Sequence, residues 1–214
     1  MKILILTAAT GGGHLRASRA ISSYIEQNDP GSRAEVVDAM KSIGNLLDRT
    51  VCDGYHILAM KAPKLFGKLY RATNRKSPLA DLLNRFSSMF SRLLLPTIEN
   101  SRPDAVIATH PFVSEMVSHL KATGDVTVPL ITLMTDYGPH RAWLGYHVDA
   151  YVVSNAEMIP EMEAMGVPKE KIFPFGIPVG NVFFTKADKP ALLKKFGLDP
   201  DLPMILIMAG SFGV

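Results

Sequence analysis

The sequence predicts an α/β protein built on a doubly wound, Rossmann-like parallel sheet. Short aliphatic runs alternate with helical patterns along most of the 214 residues, as in parallel sheets with right-handed crossovers. Glycine-rich or polar loops follow three of the predicted strands, where such folds bind ligands. The hydrophobic content of 47% is ordinary for a globular chain. The length suits one α/β domain, or one domain and part of a second.

The chain opens with a predicted strand and helix. The run Lys2–Thr7 is short, aliphatic and β-branched, which is typical of a strand buried on both faces. The helical pattern ends at Asn28, before the turn signal Asp29-Pro30-Gly31. Its apolar residues recur every three or four positions and so share one face: Ala17, Ala20, Ile21, Tyr24 and Ile25.

Three glycines, Gly11, Gly12 and Gly13, join this strand to this helix and place His14 at the helix entrance. They let the backbone turn sharply and leave the first helix amides free to meet an anion or a hydroxyl. The loop is not a dinucleotide fingerprint, because Arg16 stands where the third glycine belongs, and it lacks the P-loop lysine. His14 is therefore either a polar residue near a helix start or a proton acceptor beside a ligand.

A basic segment follows the second predicted strand. Residues 61–92 carry a net charge of +7, so the rest of the chain carries −4. Cations alternate with apolar residues there, which indicates either a surface that binds anionic membrane or a solvated helix face. No nucleic-acid motif accompanies the segment, so we expect no nucleic-acid partner. The candidate membrane-binding residues are Lys61, Lys64, Lys68, Arg71, Arg75 and Lys76.

A second helix is predicted within the basic segment. Ser77 suits the N-cap, Pro78 suits the first helical position, and a leucine and phenylalanine stripe continues until Pro96 is expected to end the helix. The stripe is either core packing or one wall of a lipid-accepting groove.

Further strands and a helix are predicted downstream. A helix from Asn155 to Met165 would have a capping box of Ser154 and Glu157 and would end at Gly166. The predicted strands are Ala34–Asp38, Ala105–Thr109, Leu130–Thr135 and Ala150–Val153.

Polar residues follow the first, third and fourth strands. The carboxyl ends of parallel strands meet at one edge of a sheet, so we expect His14, His110, Asp136 and His140 to converge on a cleft. Each also has an ordinary explanation on its own, such as a cap for Asp136 or a turn residue before proline for His110. No metal site is predicted.

The sequence changes character near its end. A polar stretch with a short helical pattern, Pro190 to Phe196, leads to the apolar run Met204–Ala209 and a second glycine-bearing loop. We therefore predict an N-terminal domain at residues 1–182, and a linker and first strand of a truncated second domain at residues 183–214. The apolar stretch at the start of the chain is too short for a signal peptide, and no apolar run is long enough to cross a membrane. The single Cys52 is typical of a cytoplasmic protein.

The loop Thr10–His14, with Arg16-Ala17-Ser18 after it, resembles the glycine loop of the monogalactosyldiacylglycerol synthase and processive diacylglycerol glucosyltransferase family. Four further motifs match in order: Thr135-Asp136, His140-x-x-Trp143, Val148-Asp149 and Gly176-Ile177-Pro178-Val179. These are GT-B glycosyltransferases, more distantly similar to the transferase that adds N-acetylglucosamine to the lipid-linked peptidoglycan precursor.

The resemblance implies that an N-terminal domain binds diacylglycerol and the cytoplasmic membrane surface peripherally, while a C-terminal domain binds a UDP-sugar and no other cofactor is used. It makes His14 the general base for inverting hexose transfer to the lipid hydroxyl, with Gly11, Gly12 and Gly13 giving the substrates room. Asp136, His140 and Trp143 become acceptor-side or cleft residues, although Asp136 could instead orient an imidazole or raise its basicity.

The chain departs from the family pattern in two ways. Gly145 stands where some relatives have a histidine, which leaves His147 without an assigned role. The residues for UDP and the sugar would lie after Val214, so we expect these 214 residues alone to have no transferase activity. The alternatives are a transferase for a polyprenyl-linked peptidoglycan precursor and a non-catalytic membrane-binding α/β module.

Overall fold

The computed structural model describes residues 1–9, 12–44, 61–74 and 78–208. Within these ranges the strands form one parallel six-stranded sheet in the order β2-β1-β3-β4-β5-β6. This order, with helices between the strands, confirms the predicted doubly wound, Rossmann-like fold. The strands are β1 Lys2–Thr7, β2 Arg33–Asp38, β3 Ala105–Ala108, β4 Leu130–Leu133, β5 Ala150–Val152 and β6 Ile172–Phe173.

Helices connect and cover the strands. They are α1 Gly12–Asn28, α2 Ala39–Ile43, α3 Pro63–Thr73, α4 Pro78–Ser91, α5 Leu95–Ser101, α6 Pro111–Ala122, α7 Met158–Ala164 and α8 Lys189–Lys195. Single 3₁₀ turns lie at Arg92–Leu94, Arg141–Trp143, Lys169–Lys171 and Asn181–Phe183. None of the described helices combines the length and the apolar character needed to cross a bilayer.

The core lies around β1 and α6. Leu4, Ile5 and Leu6 are fully buried at the centre of the sheet, as are Met116 and Leu120 on α6. Burying such a side chain stabilises the folded state by about 1.5–3 kcal/mol. The sheet centre and α6 therefore hold the loops at the strand ends in fixed positions.

The predicted second helix is confirmed, but Pro96 does not end the helical path. The chain passes from α4 through a 3₁₀ turn into α5, and Pro96 occupies the first turn of α5. Proline is tolerated there because first-turn amides have no partner within the helix. Phe90 packs against the core and Leu94 is fully buried, so these two residues of the apolar stripe belong to the core, whereas Leu93 between them is 49% exposed.

The predicted capping box is wrong. Helix α7 begins at Met158, later than expected, and Asn155 Oδ1 accepts the hydrogen bond from the Met158 amide at 3.3 Å. The Ser154 hydroxyl instead donates to the Met158 sulfur at 3.1 Å. Gly166 has a φ of +100°, a left-handed conformation that favours glycine, and it follows the helix end as predicted.

The predicted strand at residues 204–209 is not formed at positions 204–208. These residues have no regular structure, and Ile205 and Ile207 are 85% and 87% exposed. A strand needs a neighbour to pair its amides and carbonyls, and none of the described strands lies beside this segment. The division of the chain at residue 182 stays a prediction. Outside the described residues are Thr10, Gly11, Cys52, Arg75, Lys76, Ser77 and the end of the chain from Ala209.

Candidate active site

His14 lies in the first turn of α1, just beyond the end of β1. Its Nδ1 is 2.7 Å from the carbonyl oxygen of Thr109 and 2.9 Å from Thr135 Oγ1. A carbonyl oxygen only accepts hydrogen bonds, so Nδ1 carries the ring hydrogen and Nε2 keeps its lone pair. No hydrogen bond joins Nε2 to any other described residue. An imidazole in this tautomer can accept a proton at Nε2.

A buried hydroxyl pair fixes the backbone around this histidine. The Ser18 hydroxyl donates to the His14 carbonyl at 2.9 Å, and Ser18 Oγ lies 2.9 Å from Thr109 Oγ1. Since the hydrogen of Ser18 is already used, Thr109 donates to Ser18 in this second contact. Helix α1 is thereby tied to the residue that follows β3, whose carbonyl holds the imidazole.

A second imidazole packs against the first. The His110 and His14 ring centroids are 4.8 Å apart, with an interplanar angle of 73°. His110 caps the start of α6, is 7% exposed, and its buried Nδ1 has no hydrogen-bond partner among the described residues. Burial, and then the charge of His14, hold the pKa of His110 well below its usual value. His110 is therefore neutral at physiological pH.

The pKa of His14 is also lowered. Burial is the largest cause, and the hydrogen bond to the Thr109 carbonyl and the charge of Asp136 oppose it. The neutral, proton-accepting form of His14 is consequently well populated near neutral pH.

Asp136 and Trp143 form a hydrogen-bonded pair next to His14. The Trp143 indole donates from Nε1 to Asp136 Oδ2 at 2.8 Å, and its ring lies 6.0 Å from the His14 ring. Trp143 is only 2% exposed, so it belongs to the wall behind the histidine. The Asp136 carboxylate thus orients the indole rather than an imidazole, while its charge raises the basicity of His14.

His140 lies in the interior, 3% exposed, and ties this loop to α3. Its Nδ1 accepts from the Ala142 amide at 3.1 Å, and its Nε2 lies 3.4 Å from Thr73 Oγ1. Next to it, Asn74 Oδ1 accepts from the Arg141 amide at 2.9 Å. His140 therefore joins α3 to the loop that carries Trp143. These contacts indicate that His140 anchors the loop.

Open space lies beside the glycine turn. A Cβ added to Gly13 would meet nothing within 4 Å. A groove of about 650 Å³ runs between α1 and residues 177–183, and Gly13, Arg16 and Phe183 are among the residues that line it. A ligand could therefore approach this end of α1. No group of three or more metal-ligating side chains occurs in the part of the chain that the structure describes.

The basic side chains lie on an exposed surface. Lys61, Lys64, Lys68 and Arg71 are all exposed, on or just before α3, and Leu65 beside them is 49% exposed. Apolar and cationic groups therefore share one accessible surface, which we call the basic face. Arg75 and Lys76 fall among the residues that are not described.

Sequence reasoning missed Thr109, Thr135 and Ser18 as partners of His14. Thr135 belongs to the Thr135-Asp136 motif, so its position after β4 was a usable signal. The Thr109 contact is through a backbone carbonyl, which any residue type could supply, and the sequence carries no signal for it.

The parallel sheet and the histidine cluster at its carboxyl edge define a Rossmann-like α/β domain with a polar site at the strand ends. The family model described as monogalactosyldiacylglycerol (MGDG) synthase matches residues 14–179, and the chain belongs to this family.

Curated relatives cover the whole chain. A processive diacylglycerol beta-glucosyltransferase of Staphylococcus saprophyticus is 29% identical over 215 residues, and one of Staphylococcus carnosus is 27% identical over 214 residues. Both alignments take in 100% of this chain and 53% of the relative, so the chain spans about half the length of these proteins.

Among solved structures, the lipopolysaccharide outer core galactosyltransferase WaaB aligns with a TM-score of 0.46 at 14% identity, over 80% of this chain and 44% of its own. The glycosyltransferase SnogD from Streptomyces nogalater aligns with a TM-score of 0.41 at 15% identity, over 82% of this chain and 50% of its own.

Proposed function

We propose that this chain is the acceptor-binding part of an inverting glycosyltransferase that moves a hexose from a UDP-sugar to diacylglycerol, in glycolipid synthesis. The observation that carries the proposal is the fixed tautomer of His14, whose Nε2 keeps its lone pair and has no hydrogen-bond partner among the described residues. The residue before it, Gly13, borders open space. Family membership and the names of the curated relatives support a lipid acceptor.

In the proposed reaction, Nε2 of His14 takes the proton of the diacylglycerol hydroxyl as its oxygen attacks the anomeric carbon. The bond from that carbon to the diphosphate oxygen breaks, and UDP leaves with the electron pair. A single displacement of this kind inverts the configuration. The resulting imidazolium is stabilised by the Thr109 carbonyl and by the charge of Asp136. A positioned base of this kind contributes about 10²–10⁴-fold to a rate.

The donor would be held mainly by a second domain of GT-B type. Because the chain spans about half of its relatives' length, we propose that it has no transferase activity by itself. The N-terminal end of α1, which carries Gly13, would face the diphosphate from this side, because the N-terminus of a helix attracts anions. The proposed reaction uses no metal and no organic cofactor.

The basic face would hold the protein peripherally on the cytoplasmic surface of an anionic membrane. Lys64, Lys68 and Arg71 are exposed together with the apolar Leu65, a combination that favours the interface over bulk water. Binding of this kind weakens as salt screens the charges.

The test uses the natural full-length protein and vesicles of anionic phospholipid with and without diacylglycerol. Radiolabelled UDP-glucose and UDP-galactose are supplied in parallel, and lipid products are separated by chromatography. We expect labelled glycolipid with one or both donors, only when diacylglycerol is present, and salt-sensitive flotation with the vesicles. Product formed on a polyprenyl-linked peptidoglycan precursor instead would favour the alternative acceptor. Salt-sensitive vesicle binding with no transfer to either acceptor would favour a non-catalytic membrane module.

A further inference from the structure

We propose that Thr135 is a positioning residue for His14, and that its hydroxyl oxygen shares the Nδ1 hydrogen of the imidazole with the Thr109 carbonyl. The inference deepens the proposed function, because it assigns a residue that controls the orientation and basicity of the proposed base.

Two distances fix the direction of the contact. Thr109 O lies 2.7 Å from His14 Nδ1, and an unprotonated Nδ1 at that distance would set two lone pairs against each other. Nδ1 must therefore be the donor, and Thr135 Oγ1, at 2.9 Å, must be its second acceptor. The Thr135 hydroxyl hydrogen is consequently directed away from the imidazole.

Two acceptors on one N–H restrict the ring more than one does. The carbonyl alone would allow the imidazole to swing about the Nδ1–O axis, whereas an oxygen from each of two loops, after β3 and after β4, fixes its plane. Protonation at Nε2 makes Nδ1–H a charge-assisted donor, so both acceptors bind the imidazolium more tightly than the neutral ring. Thr135 should therefore raise the basicity of His14 as well as orient it.

Other charged or titratable groups surround the same ring and must be kept constant in a test. Asp136 lies on the loop after β4, and His110 lies at the start of α6. Neither of these is altered by a change at Thr135, so a change in the titration of His14 reports on the hydroxyl.

The experiment compares Thr135→Val, which keeps the shape but removes the acceptor, with Thr135→Ser, which retains it. Thr132→Val is the matched control, because it removes a hydroxyl from β4, the strand that precedes Thr135. That hydroxyl contacts Ser114 Oγ and not His14. Side-chain ¹⁵N NMR of the natural full-length protein labelled at histidine, with His14 signals assigned by their loss in His14→Gln, follows the tautomer and the titration of His14. Steady-state kinetics are measured on the natural full-length protein.

We expect Thr135→Val to lower the pKa of His14 and to reduce kcat about 3- to 10-fold with little change in KM, as the loss of one hydrogen bond would. Thr135→Ser should restore both, and Thr132→Val should leave the His14 titration unchanged even where it reduces stability. An unchanged His14 titration in Thr135→Val would overturn the proposal. The NMR result stands without turnover, so it is separable from a failure of the proposed function.

Discussion

The imidazole of His14 is held from behind by the backbone carbonyl of Thr109, at 2.7 Å from Nδ1. The contact joins the start of α1 to the end of β3 and decides which ring nitrogen carries the hydrogen. A carboxylate in this position would add a full charge, whereas the carbonyl contributes only a dipole. Asp136, whose charge acts on His14, is hydrogen-bonded to Trp143 instead.

Changing Asp136 to Asn should lower the pKa of His14. The amide oxygen can still accept from the Trp143 indole, so the wall behind the histidine is preserved, but the negative charge that favours the imidazolium is lost. Titration of His14 by NMR checks this, together with the acid limb of the pH–rate profile, which should move to lower pH. An unchanged acid limb of the pH–rate profile would show that the charge of Asp136 does not affect the pKa of His14.

Changing Gly13 to Ala should reduce activity without destabilising the fold. A Cβ at this position meets nothing within 4 Å, so the free energy of unfolding should stay the same or rise by up to about 1 kcal/mol. The methyl group would occupy the open space beside His14, where we propose that substrates approach, and activity should fall about 10- to 100-fold. Gly31→Ala, whose Cβ would make only an ordinary contact with Asp29, is the matched control. Full activity in Gly13→Ala would argue against substrate approach at this turn.

Changing Gly145 to Ala should destabilise the protein by about 1–3 kcal/mol, as other overpacked sites do. The new Cβ would lie 2.7 Å from both Cβ and Oγ of Ser118 and 3.2 Å from Val148 Cγ2. Ser118 has little freedom to move because its Oγ accepts from the His147 amide at 3.0 Å. Urea unfolding measures the effect against Gly138→Ala, where the added Cβ meets nothing within 4 Å. Equal stability of the two variants would contradict the packing described.

Stability should fall as the pH drops below about 6.5, the usual pKa of histidine, partly because of His110. Below that pH the unfolded chain binds a proton at this residue while the folded protein, with its lowered pKa, does not, so protonation favours unfolding. Each such group adds a slope of up to about 1.4 kcal/mol per pH unit. His110→Phe should flatten the curve relative to the wild type in this range. The raised pKa of Glu115 acts in the opposite sense at lower pH and is common to both proteins.

Much of the fold could be predicted because it depends on local sequence patterns. The aliphatic run Lys2–Thr7 and the turn after Asn28 are local signals, and both match the structure. The capping of α7 was mispredicted because Asn155 and Ser154 both offer suitable oxygens, and only the backbone geometry decides between them. The run at 204–208 was mispredicted as a strand because strand formation requires a partner elsewhere.

The convergence of His14 and His110 could be predicted, but the contacts within the candidate site, including those of Thr109, Thr135 and Ser18 with His14, could not. The topology of a parallel sheet brings His14 and His110 to one edge, and they are in ring contact. That Asp136 binds an indole and that His140 anchors α3 could not be read from spacing. Such choices depend on the direction of each side chain, which is set by the packing of several elements at once.

We propose above that His14 acts as the base in sugar transfer to a lipid hydroxyl. The most direct measurement compares the initial rate of glycolipid formation by wild-type and His14→Gln full-length protein, at matched vesicle binding and folded fraction. Glutamine can still donate to the Thr109 carbonyl but cannot accept the proton. We expect a rate lower by about 10²–10⁴-fold with vesicle binding unchanged. A rate within a factor of about two of the wild type, far short of the contribution of a general base, would contradict it.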